Sequence, residues 1–414
     1  MLIYRILINV LIIISPLIIL IRLIKKKEHP IRFKEKFCFF SKKRGNGKLI
    51  WFHGASVGEI ISIIPLIEKL EKNHEIKKIL ITTSTLSSSQ IILKYNFKKT
   101  IHQFFPIDSN FLVDKFLSYW KPSLAIFIES EIWPNMIMSL KKKKISLILL
   151  NGRITKKSYR KWKAISPISK NLFESFDICY PQSKESSKHL KSLGVKKLKL
   201  LGNLKFCENE KKIINKDSKI KIFLKDKNFW CASSTHNDEE ITVAYAHIRL
   251  KKKYKKLITI IIPRHIHRVN NITQSMNELG LNVHIHSSFK KIKNNTDIYL
   301  VDTFGETKSF FKICNIVFLG GSLIDHGGQN PLEAARFGCK IIHGPYIHNF
   351  TEIYDLLRRN KITTKIKDTG QISSYVNTLI QKKRKSPAYI MKIKKLGSSI
   401  LGRTLSEINF LIKK

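Results

Sequence analysis

Acidic side chains are scarce in this 414-residue sequence. Thirty Asp and Glu stand against 76 Lys and Arg, a formal charge of +46. So lopsided a balance selects anionic partners: nucleic acid, an acidic membrane surface or a phosphorylated substrate. The excess is spread through Lys-, Ile- and Asn-rich sequence rather than gathered into one arm, so most of it reads as composition and not as a nucleic-acid footprint. Cysteine is sparse too. Cys38, Cys179, Cys207, Cys231, Cys314 and Cys339 form no CxxC pair and, with the histidines, no zinc spacing. That argues against a zinc module and a secreted disulfide framework, and fits a reducing cytoplasm. No GxGxxG, no P-loop and no internal repeat occurs, and no Asp-x-Asp lies near the motifs described below. What is present, 43% apolar and 10% aromatic residues, is ample for two or three packed domains and argues against disorder.

The N-terminus has the one long hydrophobic run. Residues 6–21 carry no charge and are flanked by Arg5 and by Arg22, Lys25, Lys26 and Lys27. The run is short for a bilayer, but 2–23 with snorkelling arginines is long enough to span or embed. The basic cluster follows the apolar run and no small-residue cleavage site appears, unlike a signal peptide. By the positive-inside rule the rest of the chain faces the cytoplasm. Pro16 is a candidate kink.

Beyond residue 45, apolar runs alternate with helical stretches. Strands are expected at 48–52, 78–82, 124–128, 145–150 and 198–201, then at 229–232, 257–262, 298–301, 316–319 and 340–343, with a helix over 59–70. This alternation predicts parallel α/β sheets. The polar stretch 207–217 separates two series of strands. In such sheets ligands bind beyond the carboxyl ends of strands, so the residues after each run matter most.

After the first run comes His53-Gly54-Ala55-Ser56-Val57-Gly58-Glu59. Glu59 reads either as a first-turn acid favoured by the helix dipole or as a general base kept ionised by it, and the pattern leaves both open. Ser56 and Gly58 share this loop. Glu129-Ser130-Glu131-Ile132-Trp133-Pro134-Asn135 puts two carboxylates on one side if the segment stays extended, and acids after a buried strand cost energy unless used or paired. Asn151-Gly152-Arg153 and Gly202-Asn203-Leu204-Lys205-Phe206 follow. Later, Ser233-Ser234-Thr235-His236 predicts a hydroxyl-rich loop capping a helix and able to hold an anion. Pro263-Arg264-His265 offers Arg264 to a phosphate or carboxylate. Phe304-Gly305-Glu306 ends the next unit. Gly320-Gly321-Ser322 and Gly327-Gly328-Gln329-Asn330-Pro331-Leu332-Glu333 predict a helix capped by Asn330, with Pro331 at its first position and Glu333 as a capping-box acid or a ribose ligand. The paired glycines suggest close backbone approach to a nucleotide.

Taken in order, these strings resemble the Kdo (3-deoxy-D-manno-octulosonic acid) transferase family of lipopolysaccharide synthesis, over nearly the whole chain and including the N-terminal anchor. The resemblance implies a GT-B glycosyltransferase fold: an anchor at 1–27, a Rossmann-like acceptor domain at 28–207, a linker at 208–217 and a Rossmann-like CMP-Kdo-binding domain at 218–414, facing each other across a cleft. It implies metal-independent, inverting transfer of Kdo from CMP-Kdo to the tetraacylated lipid A precursor, with no cofactor and no nucleic-acid partner. The enzyme would sit on the cytoplasmic face of the bacterial inner membrane, in contact with its anionic lipids. By motif matching, Glu59 falls on the catalytic base, and Glu129 and Lys205 on transition-state stabilisers. Pro263, Arg264, Phe304, Gly305, Glu306, Asn330, Pro331, Leu332 and Glu333 fall on the CMP site. Ser56, Gly58, Glu131, Arg153, Ser234, Thr235, His236 and Gly321 are further candidates from the same strings. Gly54 replaces a usual small residue, Ser130 a usual Thr and Gln329 a usual His. None of these removes a charge the mechanism needs, although Gln329 cannot titrate as His would.

Overall fold

Apolar runs bounded by turn residues form central strands here, because a parallel sheet covered on both faces leaves no wet side to alternate with. In the computed structural model, which describes residues 2–208, 218–381 and 387–413, β1 (Leu49–His53), β2 (Lys78–Thr83), β3 (Thr100–Phe104), β4 (Leu124–Ile128), β5 (Ser146–Gly152) and β6 (Ile178–Pro181) build one sheet. Every pairing is parallel and the order is β3-β2-β1-β4-β5-β6. The order reverses between β1 and β4, which opens the ligand crevice of a doubly wound sheet at their carboxyl ends. Trp51, Phe116, Trp120, Phe127 and Phe173 fill the core beneath it.

A second parallel sheet contains β7 (Asn228–Thr235), β8 (Leu257–Pro263), β9 (Val283–Ile285), β10 (Ile298–Leu300), β11 (Ile316–Leu319), β12 (Lys340–His343) and β13 (Thr363–Lys365). Its order is β13-β12-β11-β7-β8-β10-β9, with the reversal between β7 and β11. Trp230, Ile261, Leu300, Phe318 and Ile342 belong to its core. Both sheets are the Rossmann-like α/β units expected of the GT-B class.

The chain divides into two compact units, Met1–Asn209 with Leu396–Lys414, and Glu210–Lys395. This corrects the expected second domain at its end. The last helix, Pro387–Lys413, buries Ile400, Ile408 and Ile412. Its second half bonds to the first unit through Glu407 to Tyr180 and Lys199, Asn409 to Asn73, and the Ile412 carbonyl to Lys48. The strand expected at 198–201 is also corrected: only Leu198 makes a bridge, to Cys179. The expected linker lies outside the described residues apart from Glu208.

The N-terminal helix, Leu2–Ile24, carries Pro16 inside it and is long and apolar enough to cross a membrane. Only 11% of that apolar window is buried, which sets it apart from a core helix.

Candidate active site

Two of the singled-out strings meet at the crevice of the first sheet, because β1 and β4 are neighbours there. Ser56 caps the helix Val57–Leu70, its hydroxyl accepting from the Glu59 N–H. Glu59 closes the capping box: Oε2 accepts from the Ala55 N–H at 2.7 Å and the Ser56 N–H at 3.3 Å. The same side chain is therefore a first-turn acid that stands at the crevice. Gly54 lies against it, since a Cβ there would come within 3.3 Å of the Glu59 Cβ, whereas a Cβ on Gly58 would meet nothing. Only 9% of Glu59 is exposed. The expectation of an acid kept ionised by the dipole is corrected: burial, then the charges of Glu131 and Glu129, push its pKa up to about 7 against the two backbone N–H bonds.

The segment after β4 is not extended. Glu129 is left-handed at φ 54°, so the two carboxylates diverge. Glu129 Oε1 is 2.7 Å from Lys205 Nζ and accepts from Asn151 Nδ2 at 3.3 Å. The strained backbone is held by the Glu129 N–H to the Leu150 carbonyl and by the Arg153 N–H to the Glu129 carbonyl. Asn151, also left-handed at φ 57°, accepts from the Leu204 N–H and so ties the turn carrying Lys205 to Glu129. Glu131 turns instead to His53 Nε2 at 3.0 Å and Trp133 Nε1 at 2.8 Å. Burial alone would raise its pKa, but the hydrogen bond and charge of His53 with the Trp133 bond hold it low. His53 is fully buried, stacked on Phe105 at 3.8 Å and bonded to Thr82.

Beside Glu131 opens a cavity of about 540 Å³. Its walls are almost entirely apolar: Trp133, Trp162, Ile165 and Ile168 with Ile3 and Leu7 of the N-terminal helix.

In the second unit, the strings after β7 and β11 meet at that sheet's reversal. The expected anion loop is corrected. Glu239, buried, fills it with its own carboxylate, accepting from the N–H groups of His236, Gly321, Ser322 and Leu323 at 2.7–3.0 Å. The nearby glycines answer to internal packing: a Cβ on Gly320 would lie 2.4 Å from the Ser234 carbonyl, and one on Gly327 2.2 Å from Asn349 Nδ2. The expected cap is shifted as well. The helix is Leu332–Arg336, Asn330 Oδ1 accepts from the Leu332 N–H at 3.1 Å, and Glu333 makes no capping box but lies 3.6 Å from Lys308.

Around His236 the surface is cationic. The His326 ring centre is 4.2 Å away and that of His265 5.9 Å, and Gln329 Nε2 lies 3.3 Å from His236 Nε2. Burial, then His326, His265, Arg264 and Arg268, push His236 down to about 4, so it is neutral at pH 7. Arg264 extends from β8 into solvent, its N–H bonded to the Thr235 carbonyl. Ser234 is left-handed at φ 57°, where the strand bulges. Pro263 is buried; Phe304 is 86% exposed beside Gly305 (φ 90°) and Glu306. Leu332 and Pro331 are buried in the loop-to-helix turn.

A family model described as 3-Deoxy-D-manno-octulosonic-acid transferase (kdotransferase) matches residues 31–208. A 3-deoxy-D-manno-octulosonic acid transferase of Rickettsia bellii is 35% identical over 365 residues, 88% of this chain and 87% of that one. The chain belongs to the Kdo transferase family. The Haemophilus influenzae enzyme of the same name is 30% identical over 81% of this chain and 79% of its own. Among solved structures, a UDP-GlcNAc 2-epimerase of Neisseria meningitidis bound to UDP-GlcNAc superposes at TM-score 0.59, covering 88% of this chain and 99% of that one at 15% identity, a likeness of fold. This glycosyltransferase places the strings after β1 and β4, and those after β7 and β11, at the reversal points of its two sheets. His53, Trp133 and Asn151 stand inside the same strings without a role that their sequence positions alone would signal. Glu239 has only a faint signal in sequence, an acid three residues after His236.

Proposed function

We propose that this Kdo transferase moves Kdo from CMP-Kdo to the tetraacylated lipid A precursor without a metal ion, at the cytoplasmic face of the inner membrane. The observation that carries the reading is Glu59, a buried carboxylate at the carboxyl end of β1, within the field of Glu131 and Glu129; an apolar cavity opens at Glu131. A general base works best with a pKa near the operating pH. Glu59 takes the proton of an acceptor hydroxyl as that oxygen attacks the anomeric carbon of Kdo. The bond to the CMP phosphate oxygen breaks, and CMP leaves with the electron pair. Lys205, set by Glu129, offsets the charge that develops. The cavity suits acyl chains of the acceptor. The cationic surface at Arg264 suits the donor's phosphate, with Phe304, Gly305, Glu306 and the 330–333 turn around the nucleoside. The test is to incubate the protein with CMP-Kdo and tetraacylated lipid A precursor and weigh the product. Transfer from a UDP-sugar, with no Kdo adduct, would overturn the reading.

Three outcomes are expected. Arg264→Ala weakens CMP binding by about 10–100-fold, the worth of a hydrogen bond to a charged group; calorimetric titration measures it, and unchanged affinity moves the phosphate elsewhere. Trp162→Ala raises the KM for the tetraacylated acceptor about tenfold, or about 1.4 kcal/mol of lost apolar contact, and leaves a deacylated acceptor unaffected. Activity survives exhaustive chelation, because Lys205 and Arg264 supply positive charge; loss in EDTA restored by a divalent ion would refute this.

A further inference from the structure

The N-terminal helix touches the first unit along one stripe. Within residues 3–24 every side chain that is not exposed falls at 4, 8, 12, 15, 19, 22 or 23, steps of three and four that trace a single helix face. Contact begins in the first turn, where the Tyr4 hydroxyl donates to Asp108 Oδ2 at 2.7 Å. Asp108 is buried and also accepts from the Asn135 and Met136 N–H groups, so this is a junction within the folded unit. Contact continues at Ile12, packed on the core, and at Ile19, 7% exposed. It ends in the last turn, where Arg22 bonds to Glu28 and Glu28 to Lys36.

From Tyr4 to Arg22 the helix advances about 27 Å at 1.5 Å per residue. A bilayer's hydrocarbon core is about 30 Å thick. A helix crossing it end-on would carry Tyr4 to the far surface, out of reach of Asp108, while Arg22 stayed at the near one. The remaining faces are apolar and open: Ile6, Val10, Ile13, Leu17, Leu20 and Ile24 are among the side chains they expose. Outside the stripe the only polar side chains in 3–24 are Arg5 and Asn9, one turn apart on one flank, where both reach headgroups if the helix lies flat.

We propose that this helix is an in-plane anchor. It lies along the membrane surface with its stripe on the first unit, its apolar faces sunk among acyl chains, and both ends on the side where the catalytic units sit. The partner is the bilayer itself, and Lys25, Lys26 and Lys27 add attraction to anionic headgroups. The arrangement also keeps Ile3 and Leu7 in place as one wall of the 540 Å³ cavity.

The test uses the full chain in sealed, inverted inner-membrane vesicles. All six natural cysteines are buried, so a fluorophore placed at Arg5→Cys or, separately, at Lys26→Cys reports one position. Both sites are exposed, and an unchanged melting curve verifies each variant. Dithionite, which does not cross membranes, is expected to bleach both positions to the same extent without detergent. Bleaching at Lys26→Cys with protection at Arg5→Cys until the vesicles are opened would mean the helix crosses, and would overturn the proposal.

Discussion

Replacing Glu59 with Gln is expected to lower turnover by about 10²–10⁴, the usual worth of a general base, while CMP affinity stays near normal. The amide keeps the size of the side chain and can still accept from the Ala55 and Ser56 N–H groups, but it cannot take a proton. The pH profile separates this from a structural effect. With the pKa pushed up to about 7 by burial and by Glu131 and Glu129, the wild-type rate should rise with pH through about 7 and then level. In Glu59→Gln that limb should vanish from the residual rate. Stability carries the opposite sign. Between the ordinary carboxylate range and pH 7 the folded chain holds a proton that the unfolded chain has lost, so stability falls as pH rises across that window. The Gln variant should lose this dependence, melting near wild type below the ordinary carboxylate range, where Glu59 is protonated in both states, and above wild type at pH 8. A near-normal rate would remove Glu59 from the mechanism and leave Glu129 or Glu131, each already engaged, by Lys205 and by His53 with Trp133.

Glu239→Ala is expected to destabilise the second unit by on the order of 4 kcal/mol. The carboxylate receives four backbone N–H bonds, and losing it strands buried donors at about 1–3 kcal/mol each, partly relieved by entering water. For a unit of this size that is a fall of about 8–16 °C in Tm. Glu239→Gln should fall between, since its oxygen accepts but its NH2 faces donors. Calorimetry on the whole protein should show the second-unit transition move while that of the first stays. A Glu239→Ala protein melting with wild type would show that the loop after β11 holds its shape without it.

The central strands are legible in the sequence, whereas β3, β6, β9 and β13, the four edges of the two sheets, are not. The cause is physical. An interior parallel strand is buried on both faces and reads as an unbroken apolar run, whereas an edge tolerates polar residues: β3 is Thr-Ile-His-Gln-Phe and β13 is Thr-Thr-Lys. Much of the first unit's site was legible for the same reason, because ligand-facing strings follow interior strands. Its electrostatics were not. A helix dipole acts on neighbours in sequence, while the shift on Glu59 comes from burial and from carboxylates some 70 residues away. The glycines misled for a related reason: a close approach is visible in sequence, but not whether a nucleotide or Glu239 occupies the space.

The terminal helix gives the chain an unusual order of completion. A side chain on Gly202 would strike Ile400 at 2.8 Å, so the first unit is shaped around residues made almost 200 positions later. At 5–20 residues per second, a ribosome needs roughly 10–40 s to traverse the intervening unit. Throughout that interval the nascent first unit waits with the seat for Ile400, Ile408 and Ile412 uncovered, and a fragment stopped near residue 209 never closes it. The half that is synthesised first is finished last, and it is the half a stalled or truncated message would leave sticky.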